Sequence, residues 1–196
     1  KFTIMELMVG NLQSKQLKTN ILNHKIYLID WFIMAEYEVI ENFLSKEDFE
    51  KLKAELNPHL SWFYYNSGAT SNDKINHNSN YYFAHIFYYE LTPSQNFNFV
   101  IPLINKLNMK ALIRAKANLY PSTPKLIEHE AHTDFPYEHK GAIFSINTCD
   151  GYTVLDDGTK IASVENRLLL FDPSKDHASS TCTNDKVRMN ININYF

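Results

Sequence analysis

The C-terminal stretch KVRMNININYF alternates strictly in polarity. Arg188, Asn190, Asn192 and Asn194 fall on one face of an extended chain, and Met189, Ile191, Ile193 and Tyr195 on the other. A two-residue period specifies a strand. It also fixes the register, because a slip by one residue would turn every asparagine toward the apolar side. The apolar face must be covered by other elements, while the polar face presents a row of amides and one guanidinium. This segment therefore limits the fold to a sheet with one apolar and one hydrogen-bonding face.

The stretch ALIRAKANLYP repeats the pattern. Ile113, Ala115, Ala117 and Leu119 oppose Arg114, Lys116, Asn118 and Tyr120. Further strands are read in GAIFSINT, in NRLLLFD (buried on both faces by pattern), and in YTVLDDGTKIASV, whose Asp-Asp-Gly predicts a hairpin. Upstream, the aromatic runs LSWFYYNSG and NYYFAHIFYYEL read as strands, separated by the polar SGATSNDKINHNSN. A strand is expected over Tyr37 to Ile40, then a helix with Ser45 as N-cap and Glu47 and Asp48 in its first turn. Leu44 and Phe49 form its hydrophobic staple, and Phe49, Leu52 and Leu56 its apolar stripe. A second helix is expected over about Phe97 to Asn108, with Pro102 in its first turn and Leu103, Ile104 and Leu107 facing inward. Helices followed by short strands predict a mainly β domain with flanking helices, of jelly-roll or barrel type.

Residues 1–33 show no sustained periodicity and are expected to be an extension to a domain spanning 34–196. Their apolar patch IYLIDWFI is interrupted by Asp30 and lacks the cleavage site of a signal peptide. A net charge of -3 gives no electrostatic footprint for nucleic acid. No apolar run is long enough to span a membrane. Cys149 and Cys182 sit in no CxxC pattern, which points to packing roles in a reducing, cytoplasmic setting.

Three histidines crowd HEAHTDFPYEHK. His132 and Asp134 share a side if the chain there is extended. His177 lies 43 residues beyond Asp134, directly after NRLLLFD, and Arg188 eleven residues beyond His177. A lone His-x-Asp is commonplace. Two imidazoles and one carboxylate, however, make the facial triad of a non-haem Fe(II) centre, with positions left open for substrate and oxygen. An inward guanidinium near such a centre suits a carboxylate, which it grips with two parallel hydrogen bonds. His129, three residues before His132, points to the other side if the chain is extended; it and His139 are read as loop residues, with contact to substrate as the alternative.

With these residues in place, the stretch from about Ala117 to Phe196 resembles the catalytic core of the Fe(II)- and 2-oxoglutarate-dependent dioxygenases, and most of all their prolyl 4-hydroxylase-like branch. The family pattern of HxD, a distal His and an Arg or Lys about ten residues later is matched by His132, Asp134, His177 and Arg188. ANLYP resembles the strand that brings an Asn and a Tyr to the co-substrate pocket, here Asn118 and Tyr120. NFLSKEDFEKLK resembles the family's supporting helix, which extends the likeness to Tyr37–Phe196. The resemblance implies a double-stranded β-helix, cupin-like in architecture. It implies Fe(II) held by His132, Asp134 and His177, with 2-oxoglutarate as co-substrate on Arg188, Tyr120 and Asn118. O2 would be consumed, a C–H bond of a peptide side chain (proline among them) or of a small molecule hydroxylated, and succinate and CO2 released. Ascorbate is a further cofactor to consider. A tyrosine frequent on the strand after HxD would fall near Ser145, so co-substrate contacts from that strand are open. Asn190, Asn192 and Ser145 are candidate pocket residues. The alternative is a metal-binding jelly roll without redox chemistry, a cupin-type isomerase, hydrolase or binding module. Arg188 discriminates between the two, since a hydrolytic centre has no need of a carboxylate clamp.

Overall fold

The computed structural model describes residues 37–56, 60–66 and 81–196. The expected extension over 1–33 and the polar segment of residues 67–80 lie outside them. In chain order the elements are β1 (Tyr37–Ile40), α1 (Lys46–Leu56), β2 (Phe63–Asn66), β3 (Tyr81–Tyr89), β4 (Thr92–Pro93), a 3-10 turn (Phe97–Val100) and α2 (Ile101–Lys106). Then follow β5 (Leu112–Pro121), β6 (Lys140–Ser145), β7 (Tyr152–Val154), β8 (Lys160–Ala162), β9 (Leu168–Phe171), β10 (Ala178–Ser179) and β11 (Val187–Tyr195).

Every strand pair is antiparallel, and two sheets result. The larger runs β1-β9-β6-β11-β5-β3-β2, with β4 added on β3, and the smaller runs β10-β7-β8. β11 sits in the middle of the large sheet, where its alternation decides what each face is. Arg188 pairs with Tyr120, Asn190 with Asn118, Asn192 with Lys116 and Asn194 with Arg114, so the polar sides of β11 and β5 coincide. The opposite face buries Ile191, Ile193, Ala115, Ala117, Phe87, Phe144 and Leu168 against Phe49, Leu52 and Leu56 of α1 and Val100 and Leu103 beside and within α2. Phe43 and Phe49 both meet the Phe144 ring edge-on, at 6.3 and 6.0 Å between centroids. A smaller apolar cluster of Ile143, Leu155, Leu169 and Phe171 joins the two sheets at one end.

The helix signals act locally as expected. Asp48 donates its backbone N–H to Ser45 Oγ at 3.1 Å, and Ser45 donates back to the Asp48 carboxylate at 2.7 Å. The second helix is shorter than its sequence pattern. A 3-10 turn occupies Phe97–Val100 and the α-helix begins only at Ile101, because Pro102 has no N–H and belongs to a first turn. The Asp-Asp-Gly hairpin joins β7 to β8, with Gly158 at φ 83°. No helix among the described residues is long and apolar enough to cross a membrane.

Asn166 ties α1 to the sheet. Buried at φ 59°, it accepts the Leu44 N–H at 2.8 Å and donates to the Leu44 carbonyl at 3.0 Å. Truncation strands both Leu44 groups without partners and places a Cβ-bearing residue without a local side-chain bond in the left-handed region. Asn166→Ala is expected to lower unfolding stability by about 2–4 kcal/mol, read as a lower urea midpoint with an unchanged m value.

Candidate metal centre

The segment carrying His132 lies alongside the segment carrying His177. The two residues exchange backbone hydrogen bonds in both directions at 3.0 Å, as an isolated antiparallel bridge. Asp134 is held in the same way, its N–H on the Pro173 carbonyl at 3.0 Å. The side chains of His132, Asp134 and His177 thereby converge, and one ligand atom from each lies within 4.8 Å of the others. His177 is buried, its ring edge-on to Phe171 at 4.9 Å, and its Nδ1 faces the Lys175 carbonyl at 3.1 Å. That contact leaves Nε2 for a ligand, 3.9 Å from Asp134 Oδ2. Burial holds the His177 pKa below the ordinary value, although Asp134 pulls the other way. A neutral imidazole beside a carboxylate is the donor set a divalent ion requires.

Asp134 is buttressed on every side. Its Oδ1 takes the Arg114 guanidinium at 2.5 Å, and its Oδ2 accepts from Asn192 at 3.1 Å and from Asn194 at 2.9 Å. Asn194 also accepts from Arg114 Nε at 3.1 Å and lies 3.2 Å from Nε2 of buried His139, whose Nδ1 faces the Tyr137 carbonyl at 2.7 Å. Burial alone would raise the Asp134 pKa. The charges of Arg114 and His177 and the Asn194 and Asn192 amides outweigh it and hold the carboxyl well below the usual range.

Arg188 is 1% exposed and has no carboxylate partner among the described residues. Its guanidinium donates to Ser179 Oγ at 2.5 Å, the Ser180 carbonyl at 3.2 Å and Thr153 Oγ1 at 2.9 Å, with the Tyr120 ring 5.5 Å away. Its Nε has no acceptor. Burial lowers its pKa, yet a guanidinium stays charged. An unneutralised cation inside the protein is costly, and every acceptor around this one is neutral. Thr153, having accepted from Arg188, keeps its own hydroxyl proton to donate toward an anion, while the Ser179 hydroxyl also meets that of Tyr120. Gly151 makes the packing possible, for a Cβ there would sit 2.6 Å from Arg188 Cδ and from the Thr181 carbonyl.

A cavity of about 480 Å³ opens between the sheets. His132, Asp134, His177, Asn118, Tyr120, Asn190 and Asn192 line it, together with Thr153 and Ser179. Arg188 stands one layer behind, reaching the cavity through Ser179 and Thr153. Ser145 is not among the lining residues. It is buried beside Asn190, and its backbone pairs with Arg167 and Asn166.

His129 corrects an expectation. It lines the cavity, its ring tilted against that of Tyr120 with centroids 5.2 Å apart, rather than pointing away. Between the Glu128–Ser180 and His132–His177 bridges, four chain steps face three, and this bulge reverses the parity that an uninterrupted strand would give. Burial, followed by Arg188 and His132, lowers its pKa to about 4, so it is neutral. Lys116, which the sequence places only on a polar strand face, and Tyr82, from the aromatic run Tyr81 to Tyr89, also line the cavity. Burial and then Arg114 bring the Lys116 pKa down to about 8, against the pull of Asp134. Burial and two tyrosine neighbours push that of Tyr82 up to about 12.

No family model matches the chain, and no curated protein matches it. Solved structures do. A prolyl-4-hydroxylase from Pseudomonas putida superposes with a TM-score of 0.60 at 11% identity, over 87% of this chain and 97% of that one. A prolyl hydroxylase from Trichoplax adhaerens, in complex with a hypoxia inducible factor oxygen degradation domain peptide fragment, gives 0.51 at 17% identity over 95% and 92%. HygX from Streptomyces hygroscopicus, with nickel and 2-oxoglutarate bound, gives 0.55 at 11% identity over 88% and 85%. This chain has the double-stranded β-helix fold of the 2-oxoglutarate- and Fe(II)-dependent oxygenases. At these identities the likeness is one of fold, and within that fold His132, Asp134 and His177 stand at a cavity between the two sheets.

Arg114 is the residue whose removal reports most directly on this oxygenase-fold site without a bound ion. Arg114→Met leaves the buried Asp134 carboxylate without its cation and with only the Asn192 and Asn194 amides donating to it, at an expected cost of about 3 kcal/mol in the metal-free protein at pH 7. The Asp134 pKa is depressed on folding, so its contribution is present above the unfolded value of about 3.9 and fades as pH falls below it. The deficit of Arg114→Met in urea unfolding should therefore be full at pH 7 and narrow below about pH 4.

Proposed function

We propose that the protein is a 2-oxoglutarate-dependent oxygenase, with His132, Asp134 and His177 as Fe(II) ligands and Arg188 as the anchor of the co-substrate's distal carboxylate. The observation that carries this reading is Arg188, a fully buried cation surrounded by neutral acceptors one layer behind the cavity that the triad lines. An isomerase or hydrolase on the same scaffold has no use for that charge. The residues fit the group they would hold, since two neutral imidazoles and a carboxylate held ionised suit a divalent ion, and Arg188 lacks only an anion. The oxygenase domain is taken to be residues 34–196, with 1–33 as an extension.

Bound together, Fe(II) and 2-oxoglutarate supply the oxidising power that turns C–H into C–OH as O2 is consumed and succinate and CO2 leave. The chain's own work is positional. Arg188, Ser179 and Thr153 bind one carboxylate end, Tyr120 and Asn118 line the path between, and Asn192 and Asn194 keep the Asp134 carboxylate aimed. Asn118 Oδ1 and Asn192 Oδ1, both buried without donors, are free to orient a ligand N–H or O–H. The substrate is a peptide side chain, proline included, or a small molecule. The prolyl hydroxylases and HygX among the structural neighbours support both classes alike.

Turnover of 2-oxoglutarate to succinate under air, with Fe(II) supplied, tests this reading. His177→Ala is expected to abolish succinate release. Arg188→Met should raise the 2-oxoglutarate KM at least tenfold, while Arg188→Lys keeps part of the affinity. Gly151→Ala should mimic Arg188→Met, because its Cβ would displace the Arg188 stem. Succinate formation unaffected by His177→Ala would contradict the assignment.

A further inference from the structure

Lys116 is a second unneutralised cation in the same cavity. It projects from β5 opposite Asn192, with Nζ 5.3 Å from the centroid of the Tyr82 ring. Among the described residues no carboxylate lies within ion-pair distance of it. Its neighbours on the cavity wall are Asn118 and Asn192, whose Oδ1 atoms are buried without donors. An ammonium set among an aromatic ring and amides gives up solvation and gains little in return.

Position separates Lys116 from the co-substrate anchor. Asn192, its cross-strand partner, donates to Asp134, so Lys116 stands at the level of the triad. Arg188 lies four residues further along β11, roughly 13 Å at about 3.3 Å per residue. The Arg188 guanidinium is turned to Ser179 and Thr153, whereas Lys116 Nζ lies over the Tyr82 ring, so the two cations address different ligand groups. Charge counting agrees: Arg114 and Asp134 cancel, one carboxylate of 2-oxoglutarate answers Arg188 and the other offsets one of the two charges of Fe(II), so Lys116 and one unit of charge on the iron are left over.

We propose that Lys116 is a specificity-determining residue that binds a carboxylate on the molecule to be oxidised. The primary substrate is then a small carboxylic acid whose body lies along the aromatic wall of Tyr65 and Tyr82, which stack at 5.5 Å. This inference rests on the oxygenase reading. A peptide held only through its backbone would leave the lysine unpaired.

Matched probes differing only in charge decide the matter. Benzoate and benzamide, and isobutyrate and isobutyramide, are titrated calorimetrically into the anaerobic Fe(II) protein, with and without saturating 2-oxoglutarate. Wild type is expected to favour the carboxylates at least tenfold. Lys116→Met should erase that preference, Arg188→Met should keep it when 2-oxoglutarate is absent, and 2-oxoglutarate affinity in Lys116→Met should stay within twofold of wild type. Lys116→Met should also raise the Tm of the unliganded protein, since it removes a half-buried charge that no carboxylate among the described residues pairs with. Absence of the preference in wild type, its survival in Lys116→Met, its loss in Arg188→Met, or a lower Tm for Lys116→Met overturns the proposal. Failure of wild type to bind 2-oxoglutarate instead removes the oxygenase reading, while the carboxylate titration still decides the role of Lys116.

Discussion

Two backbone hydrogen bonds between His132 and His177 hold the candidate centre together. They join the loop after β5 to the loop after β9, so that ligands far apart in sequence arrive at one point regardless of side-chain rotamers. A metal site built on side-chain convergence alone would pay the full entropy of ordering two loops at the moment of binding. Here the bridge orders them beforehand, and the adjacent Asp134–Pro173 and His129–Ser179 contacts extend it on both sides.

The second determinant is the polar face of the large sheet. Arg188, Asn190, Asn192 and Asn194 run down β11 opposite Tyr120, Asn118, Lys116 and Arg114 of β5. A sheet between two layers usually buries apolar side chains on both faces, whereas this one gives an inner face to amides and cations. Its stability comes from the other side, where α1 and α2 cover Ile191, Ile193, Phe144 and Phe87. That division lets the inner face carry groups that cost stability in isolation: the amide row satisfies Asp134, while Arg188 and Lys116 keep their charge available.

Much of this was legible in the sequence. Strict alternation in KVRMNININYF and ALIRAKANLYP placed the right residues on the right faces, because a two-residue period leaves no freedom once one face is apolar. The Ser45 cap and the staple around it marked a helix whose determinants are local. His132, Asp134, His177 and Arg188 were visible as a spacing, since strand order in this fold is rigid. Parity put His129 on the far side of the chain, because a bulge is invisible to parity arguments. Ser145 became a pocket candidate because the resemblance places a frequent tyrosine near it, but it is not among the residues that line the cavity, and its backbone is paired with Arg167 and Asn166. Lys116 and Arg114 were on the predicted polar face, yet nothing in sequence separates a lysine facing a cavity from one facing water. That distinction is made by β3, whose Tyr82 supplies the ring under Lys116.

The central claim is that the triad and Arg188 belong to one ligand-binding unit, the triad holding the ion and Arg188 the far end of its chelating partner. Anaerobic addition of 2-oxoglutarate to the Fe(II)-loaded protein, followed by visible absorption, tests that unity without any knowledge of the primary substrate. A metal-to-ligand charge-transfer band is expected in wild type, absent in His132→Ala and requiring far more 2-oxoglutarate in Arg188→Ala. A folded, iron-loaded wild type that develops no such band at saturating 2-oxoglutarate would contradict the account.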